Sequence, residues 1–182
     1  MTQIKLYGLG GQGVVTCAKI LSKAVSIYEN RYATTIPAYG HERRGAPVYT
    51  DMVIDTRPIL QNCFVYKPDV VMVLDEAIIA KQVDVGKGIH PNTILVLNAS
   101  AAAAERYKTA YAFREIYIVD ATAIALASTG RGIPNIAMLG ALAKAGIVKL
   151  DSIKIAIMVA FEKEGERNAN AAQQAYNKTR TL

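Results

Sequence analysis

Cysteine and histidine are scarce in this 182-residue chain, which has only Cys17 and Cys63, His41 and His90. Two thiols this far apart cannot supply a disulfide framework, a zinc knuckle or a four-cysteine iron–sulfur site, so any metal centre working with this chain must sit on another one. The histidines are distant in sequence and form no H-E-x-x-H pair, and no G-x-S-x-G elbow occurs, which excludes the common self-sufficient hydrolases. A Walker loop is also missing, because no Gly-Lys-Ser/Thr follows the glycine-rich stretch. Long hydrophobic runs are few. The most apolar stretch, residues 133–148, contains Pro134, Asn135 and Lys144 and falls short of a membrane span. No charged-then-apolar leader precedes the first strand, so the expectation is a cytoplasmic protein with both thiols reduced. The formal charge of +6 favours an acidic ligand, but without a dense Lys/Arg run interleaved with aromatics it does not indicate nucleic acid.

With 52% hydrophobic and 20% charged residues, the composition is that of a folded globular chain. Neither an internal repeat nor a linker interrupts it, and a single domain over residues 1–182 is expected. The chain is organised around Gly8-Leu9-Gly10-Gly11-Gln12-Gly13, which follows the apolar run Ile4 to Tyr7 and precedes a helical pattern. In that helix Val14, Ala18, Leu21, Val25 and Tyr28 share one face, with Lys19, Ser22, Lys23 and Ser26 on the other. Strand, glycine turn and helix start together make a cradle for phosphate, pyrophosphate or carboxylate. Glycine admits positive φ and close backbone approach, and the helix N-terminus offers unpaired N–H groups. The spelling also satisfies G-x-G-x-x-G, but the acid that a dinucleotide fold places after its second strand is missing. That strand, near Tyr32 to Ile36, meets no acid before Glu42, which argues against ordinary NAD binding.

The loop from His41 to Pro47 reads as a solvated turn, although the adjacent Arg43 and Arg44 beside glycines also suit a clamp for an anion. A strand over residues 48–54 follows. Val70 to Leu74 is a continuous apolar run of the kind buried on both faces, and Ala77 to Val85 is expected to be a helix closed by Gly86 or Gly88. Strands at 93–97 and 115–119 flank a helix at 101–107. The alternation predicts an α/β fold of three layers, α/β/α, with a mostly parallel Rossmann-like sheet and helices on both faces. Asp75, Glu76, Asn98 and Asp120 follow strands, where they face a ligand crevice or cap the next helix. The connection Thr129-Gly130-Arg131-Gly132 leads to a helix at 136–145. Asp151 is a plausible N-cap for a helix ending at Gly165, after which a polar helix runs to about Tyr176.

Three segments taken together resemble a known family: Gly8 to Val14, Tyr39-Gly40-His41-Glu42-Arg43-Arg44-Gly45-Ala46-Pro47, and Pro68-Asp69 before Val70 to Glu76. The likeness extends through Ile133-Pro134-Asn135-Ile136-Ala137-Met138-Leu139-Gly140-Ala141 and covers nearly the whole chain in order. The chain resembles the gamma subunit of 2-oxoacid:ferredoxin oxidoreductases, acting on pyruvate, 2-ketoisovalerate or 2-oxoglutarate. The resemblance implies oxidative decarboxylation of a 2-oxoacid to an acyl-CoA, with electrons passed to ferredoxin. It places thiamine diphosphate and iron–sulfur clusters on alpha, beta and delta-type partner subunits and assigns coenzyme A, as co-substrate, partly to this chain. On matching positions Gly10, Gly11, Gln12, Gly13 and Val14 would hold phosphates, Arg43 would be a basic phosphate contact and Asn135 a polar one. No catalytic or metal-ligating residue is expected here, and the isolated chain is expected to be inactive. The ending Arg-Gly-Ala-Pro-Val, in place of Arg-Gly-Gly, looks closer to pyruvate or branched-chain 2-oxoacid members. Two alternatives are a non-catalytic nucleotide- or CoA-binding regulator of the same fold and a standalone NAD-type dehydrogenase.

Overall fold

The computed structural model describes residues 1–38 and 44–182. Among them, β1 (Thr2–Leu9), β2 (Tyr32–Ala38), β3 (Pro47–Asp55), β4 (Val70–Val73), β5 (Ile94–Asn98), β6 (Glu115–Val119) and β7 (Arg180–Thr181) form one sheet in the order β2-β3-β1-β4-β5-β6-β7. The helices are α1 (Val14–Tyr28), α2 (Ala101–Ala110), α3 (Ala121–Thr129), α4 (Asn135–Lys144), α5 (Leu150–Phe161) and α6 (Gly165–Lys178).

The sheet is mixed, which corrects the expectation of a mostly parallel one. β1, β4, β5 and β6 run parallel, whereas β3 is antiparallel to both β1 and β2, and β7 is antiparallel to β6. The reason lies in the connections: parallel neighbours need a crossover of a dozen or more residues, and the short stretch between β2 and β3 permits only antiparallel pairing. α1 does cross over from β1, but it delivers the chain to β2 at the edge, and β3 then inserts between β2 and β1. All four residues of β4 and all five of β5 are buried, as the continuous apolar runs required.

Helices lie on both faces, unequally. One face packs on α1, α3, α4, α5 and α6 through a core that includes Leu6, Leu21, Met72, Ile124, Leu139, Ile157 and Ala172. The other packs on α2 and a short 3-10 turn, Glu76–Lys81, through Val71, Val73, Ile78, Leu97, Ala104 and Tyr107. That turn replaces the helix expected from Ala77 to Val85: Gln82 takes a left-handed φ of 61° and donates its N–H to Ile79, closing the turn early.

The C-terminal helices depart from expectation in two places. Lys149, not Asp151, occupies the N-cap of α5, and Asp151 lies in the first turn, where a carboxylate favours the helix dipole. Gly165 does not stop a helix but starts one. Glu162, at φ 44°, breaks the chain after α5, and a Cβ at Gly165 would come within 2.8 Å of Met158 Cα, so only glycine lets the two helices cross this closely. α6, whose sequence reads as polar, buries an alanine stripe of Ala169, Ala171, Ala172 and Ala175. Opposite it Gly140 of α4 approaches the Ala172 carbonyl so closely that any Cβ would collide with it.

Candidate functional site

The glycine turn is built as a rigid platform. Gln12 donates its N–H to the Leu9 carbonyl at 3.0 Å, its Oε1 accepts from the Leu9 N–H at 2.9 Å, and its Nε2 donates to Asp75 Oδ2 at 2.6 Å. Gly10 is stitched to the start of β3: its N–H donates to the Ala46 carbonyl at 2.8 Å, and its own carbonyl accepts from Gly45 at 3.0 Å. Gly11 and Gly13 take φ of 95° and 73°, so both need glycine for the turn itself. Gly8 needs it for space, since a Cβ there would lie 2.6 Å from Val14 Cγ2.

This turn leaves the start of α1 open. The N-cap, Gly13, offers no side chain, and the first turn holds no acid. Among the described residues the N–H groups of Gly11, Gly13, Val14, Val15 and Thr16 have no acceptor. α4 begins beside it. Asn135, buried at 7% exposure, donates through Nδ2 to the Gly13 carbonyl at 3.3 Å and accepts through Oδ1 from Ile136 N–H at 2.9 Å. Two helix N-termini therefore converge on one place, which concentrates positive potential there.

A cleft of about 390 Å³ opens at this point, lined by Gly11, Gly13, Thr16, Arg131, Asn135 and Arg167 among others. Arg131 comes from the glycine-rich connection before α4. The break at Glu162 turns the chain so that α6 presents Arg167. Arg44 lies beside the turn, its Cγ 3.7 Å from the Cβ position of Gly11. Among the described residues none of the three arginines is in an ion pair. Glu164 also lines the cleft, a single carboxylate against these cations. The arrangement can hold an extended anion, with backbone N–H groups at one end and guanidinium groups along the side.

Of the residues singled out from sequence, the structure brings Gly11, Gly13 and Asn135 to the cleft. Val14 is 2% exposed and offers only its N–H, its side chain being in the core. Gly10 and Gln12 are bonded internally and shape the turn. Arg43 lies outside the described residues. Arg167 and Thr16 were not singled out from sequence: no local pattern marks Arg167, on a polar helix, as facing a site more than a hundred residues away, and Thr16 lies outside the apolar spacing that marks α1. Arg131 carried a weak signal, a cation between two glycines. The acids and amide after the strands serve as structural ties: Asp75 and Asp120 cap the following turns, and Asn98 bonds the Leu74 carbonyl, Thr122 Oγ1 and Ala121 N–H, each at 2.8 Å.

Cys17 lies directly under the open end of α1. A helix N-terminus ordinarily lowers a thiol pKa, but complete burial pushes this one up, and its Sγ donates to the Asn135 carbonyl at 3.3 Å. It is a protonated packing residue. Among the described residues no group of three or more His, Cys, Asp or Glu side chains is placed to hold a metal ion, and no helix is long and apolar enough to cross a membrane.

The sequence matches the family described as pyruvate ferredoxin/flavodoxin oxidoreductase over residues 3–178. The chain belongs to this family. It is 43% identical to the pyruvate/ketoisovalerate oxidoreductases common subunit gamma of Pyrococcus abyssi, across 98% of this chain and 97% of that one. The crystal structure of pyruvate oxidoreductase subunit PORC from Thermotoga maritima superposes with a TM-score of 0.84 at 32% identity, covering 99% of this chain and 97% of that one. A 2-oxoglutarate:ferredoxin oxidoreductase from Magnetococcus marinus, solved with 2-oxoglutarate, coenzyme A and succinyl-CoA bound, shares the fold. Its TM-score is 0.74 at 18% identity, and the match takes in 97% of this chain but 30% of that one. Within the family this chain is a gamma-type subunit of a 2-oxoacid:ferredoxin oxidoreductase.

Proposed function

We propose that this chain helps hold coenzyme A in an oxidoreductase that converts pyruvate or a branched-chain 2-oxoacid to its acyl-CoA. Thiamine diphosphate and the iron–sulfur clusters sit on alpha, beta and delta-type partner subunits, and ferredoxin takes the electrons through the complex. The observation that carries the reading is the uncapped start of α1, opening on a cleft flanked by Arg131 and Arg167. A pyrophosphate is the extended anion such a cleft fits: the N–H groups of Gly11, Gly13 and Val14 face one phosphate, and the guanidinium groups neutralise the rest. Gly10 and Gln12 hold the turn in shape, Asn135 fixes the spacing of the two helix starts, and Arg43 is the further phosphate contact that the family resemblance implies. The chain's part is binding and orientation. Coenzyme A supplies the thiol that accepts the acyl group, and this chain keeps the nucleotide end anchored while that thiol reaches the partner's centre.

The test is steady-state kinetics of the assembled enzyme with each substrate varied in turn. Losing one charge-assisted contact is worth about 1.5–3 kcal/mol, so Arg131→Ala and Arg43→Ala are each expected to raise the KM for coenzyme A by about ten- to a hundredfold. The KM for the 2-oxoacid is expected to stay put. Unchanged coenzyme A dependence in both variants, or equal impairment for the oxoacid, overturns the reading. The chain alone is expected to show no 2-oxoacid oxidation, and turnover by it with any electron acceptor would remove it from the subunit role.

A further inference from the structure

On the other face of the sheet, β1 and β3 are crossed by an irregular strap, residues 56–69, that joins β3 to β4. Between strap and sheet lies a cavity of about 450 Å³, within the range of small-molecule sites, lined by Tyr7, Tyr49, Phe64, Tyr66, Asp84 and Lys87 among others. It shares no lining residue with the anion cleft.

Tyr7 is the most buried of the three tyrosines that line it. It is 5% exposed, its ring lines the cavity, and among the described residues its hydroxyl has no hydrogen bond. By contrast, Tyr107 donates to the Glu76 carbonyl at 3.0 Å and Tyr117 to Glu115 Oε2 at 2.7 Å. The Tyr7 oxygen is not one of the fully buried unpaired side-chain atoms, so the O–H opens on the cavity and can donate to an acceptor held there. Burial, with the nearby Asp51 and Asp84 carboxylates, pushes the Tyr7 pKa up, so the group remains an O–H donor.

The charges around the cavity cancel. Lys5 Nζ is consumed below it, donating to Asp51 Oδ1 at 2.7 Å, Asp51 Oδ2 at 2.9 Å and the Val65 carbonyl at 3.0 Å. Asp84 and Lys87 bring one charge of each sign to the lining, and Asp84 Oδ1 accepts from the Gly86 N–H at 2.9 Å. What remains is aromatic: Tyr7 and Tyr49 are tilted with centroids 6.1 Å apart, and Phe64 and Tyr66 present exposed rings from the strap. We propose that this cavity binds the flat, uncharged heteroaromatic ring of a nucleoside-like small molecule, stacked on these rings, with the Tyr7 O–H donating to an acceptor on the ring edge.

The test uses adenosine as the probe, followed by saturation-transfer NMR and calorimetry on the full chain and on the assembled oxidoreductase. Both are expected to bind it. Tyr7→Phe, which removes only an unpaired hydroxyl, is expected to weaken adenosine by about two- to tenfold. Phe64→Ala, at the exposed rim, is expected to weaken it by a similar factor through lost stacking, and Arg131→Ala to leave it unchanged. AMP is expected to gain nothing from its phosphate at the Tyr7-dependent site. Four outcomes overturn the proposal: no binding at about 1 mM adenosine, binding insensitive to both Tyr7→Phe and Phe64→Ala, AMP favoured more than tenfold at the Tyr7-dependent site, or loss of adenosine on assembly. The last would make the cavity a seat for a partner's side chain. None of these bears on the coenzyme A reading, which rests on the opposite face.

Discussion

The two concavities on opposite faces of the sheet are built from opposite materials. The cleft at the start of α1 is backbone and charge: glycines without side chains, open N–H groups and arginines without ion pairs among the described residues. The cavity over β1 and β3 is rings above a buried ion pair, with the Tyr7 phenol at its inner wall. β1 serves both, because its side chains alternate: Leu6 points into the core beneath α1, whereas Lys5 and Tyr7 face the cavity, and its C-terminal turn shapes the cleft. A strand that ends in a glycine turn at one cleft can therefore carry an unrelated surface along its length.

Changes confined to one side should leave the other intact, and the largest effect is expected under the cavity. Lys5→Met leaves Asp51, 1% exposed, as an uncompensated charge, and breaking a buried pair in this way costs about 3–5 kcal/mol. Urea titration is expected to show that loss as a lowered midpoint with an unchanged slope. A cost under about 1 kcal/mol would mean that water reaches Asp51 and the floor of the cavity is not dry.

Gly13→Val attacks the cleft instead. A side chain at φ 73° is strained by about 1–3 kcal/mol, and its Cβ would run into Asn135 Nδ2, pushing the two helix starts apart. In the assembled enzyme the KM for coenzyme A is expected to rise more than about a hundredfold, while adenosine binding at the Tyr7 cavity is unchanged. Coupled loss at both would show that the two sites share one deformation.

Arg167→Ala should cost less, about tenfold in the same KM, because α6 brings a single exposed guanidinium to the cleft. A null effect would confine the anion to the α1 side.

The smallest effect is a pH dependence shared by both faces. Burial raises Cys17 above its ordinary 9.0 and Tyr7 and Tyr107 above their ordinary 10.0. The native chain keeps these protons at pH values where the unfolded chain releases them. Their contribution is thus fully present below about pH 9 and falls as pH rises through that value and then through 10. Urea midpoints at pH 7, 9.5 and 10.5 should decline in that order. At neutral pH Cys63, which is exposed, is expected to alkylate while Cys17 stays protected, and rapid modification of Cys17 would mean that α1 lifts off the sheet.

Legibility in the sequence followed the range of the interactions. Val14, Ala18, Leu21 and Val25 mark the buried face of α1 through spacing alone, and the apolar runs at β4 and β5 announce strands covered on both faces. The strand, glycine turn and helix start were readable for the same reason, since they lie within a few residues of one another. Strand direction was not, because alternation is identical in parallel and antiparallel strands and only the packing of β3 between β2 and β1 decides it. The break at Glu162 was equally hidden: Gly165 reads as a stop, and its role as a close-contact residue depends on where Met158 lies.

The sequence by itself thus determined the local pieces: a glycine turn opening a helix, the buried face of that helix, and strands buried on both faces. Tertiary structure alone decided what those pieces face. It brought α4 against α1 through Asn135, set Arg167 of α6 at the cleft, paired Lys5 with Asp51 and opened the Tyr7 ring on the cavity. The physical reason is that helix and turn preferences act over a few residues, whereas desolvation, charge pairing and close approach depend on positions that the chain brings together only when it folds.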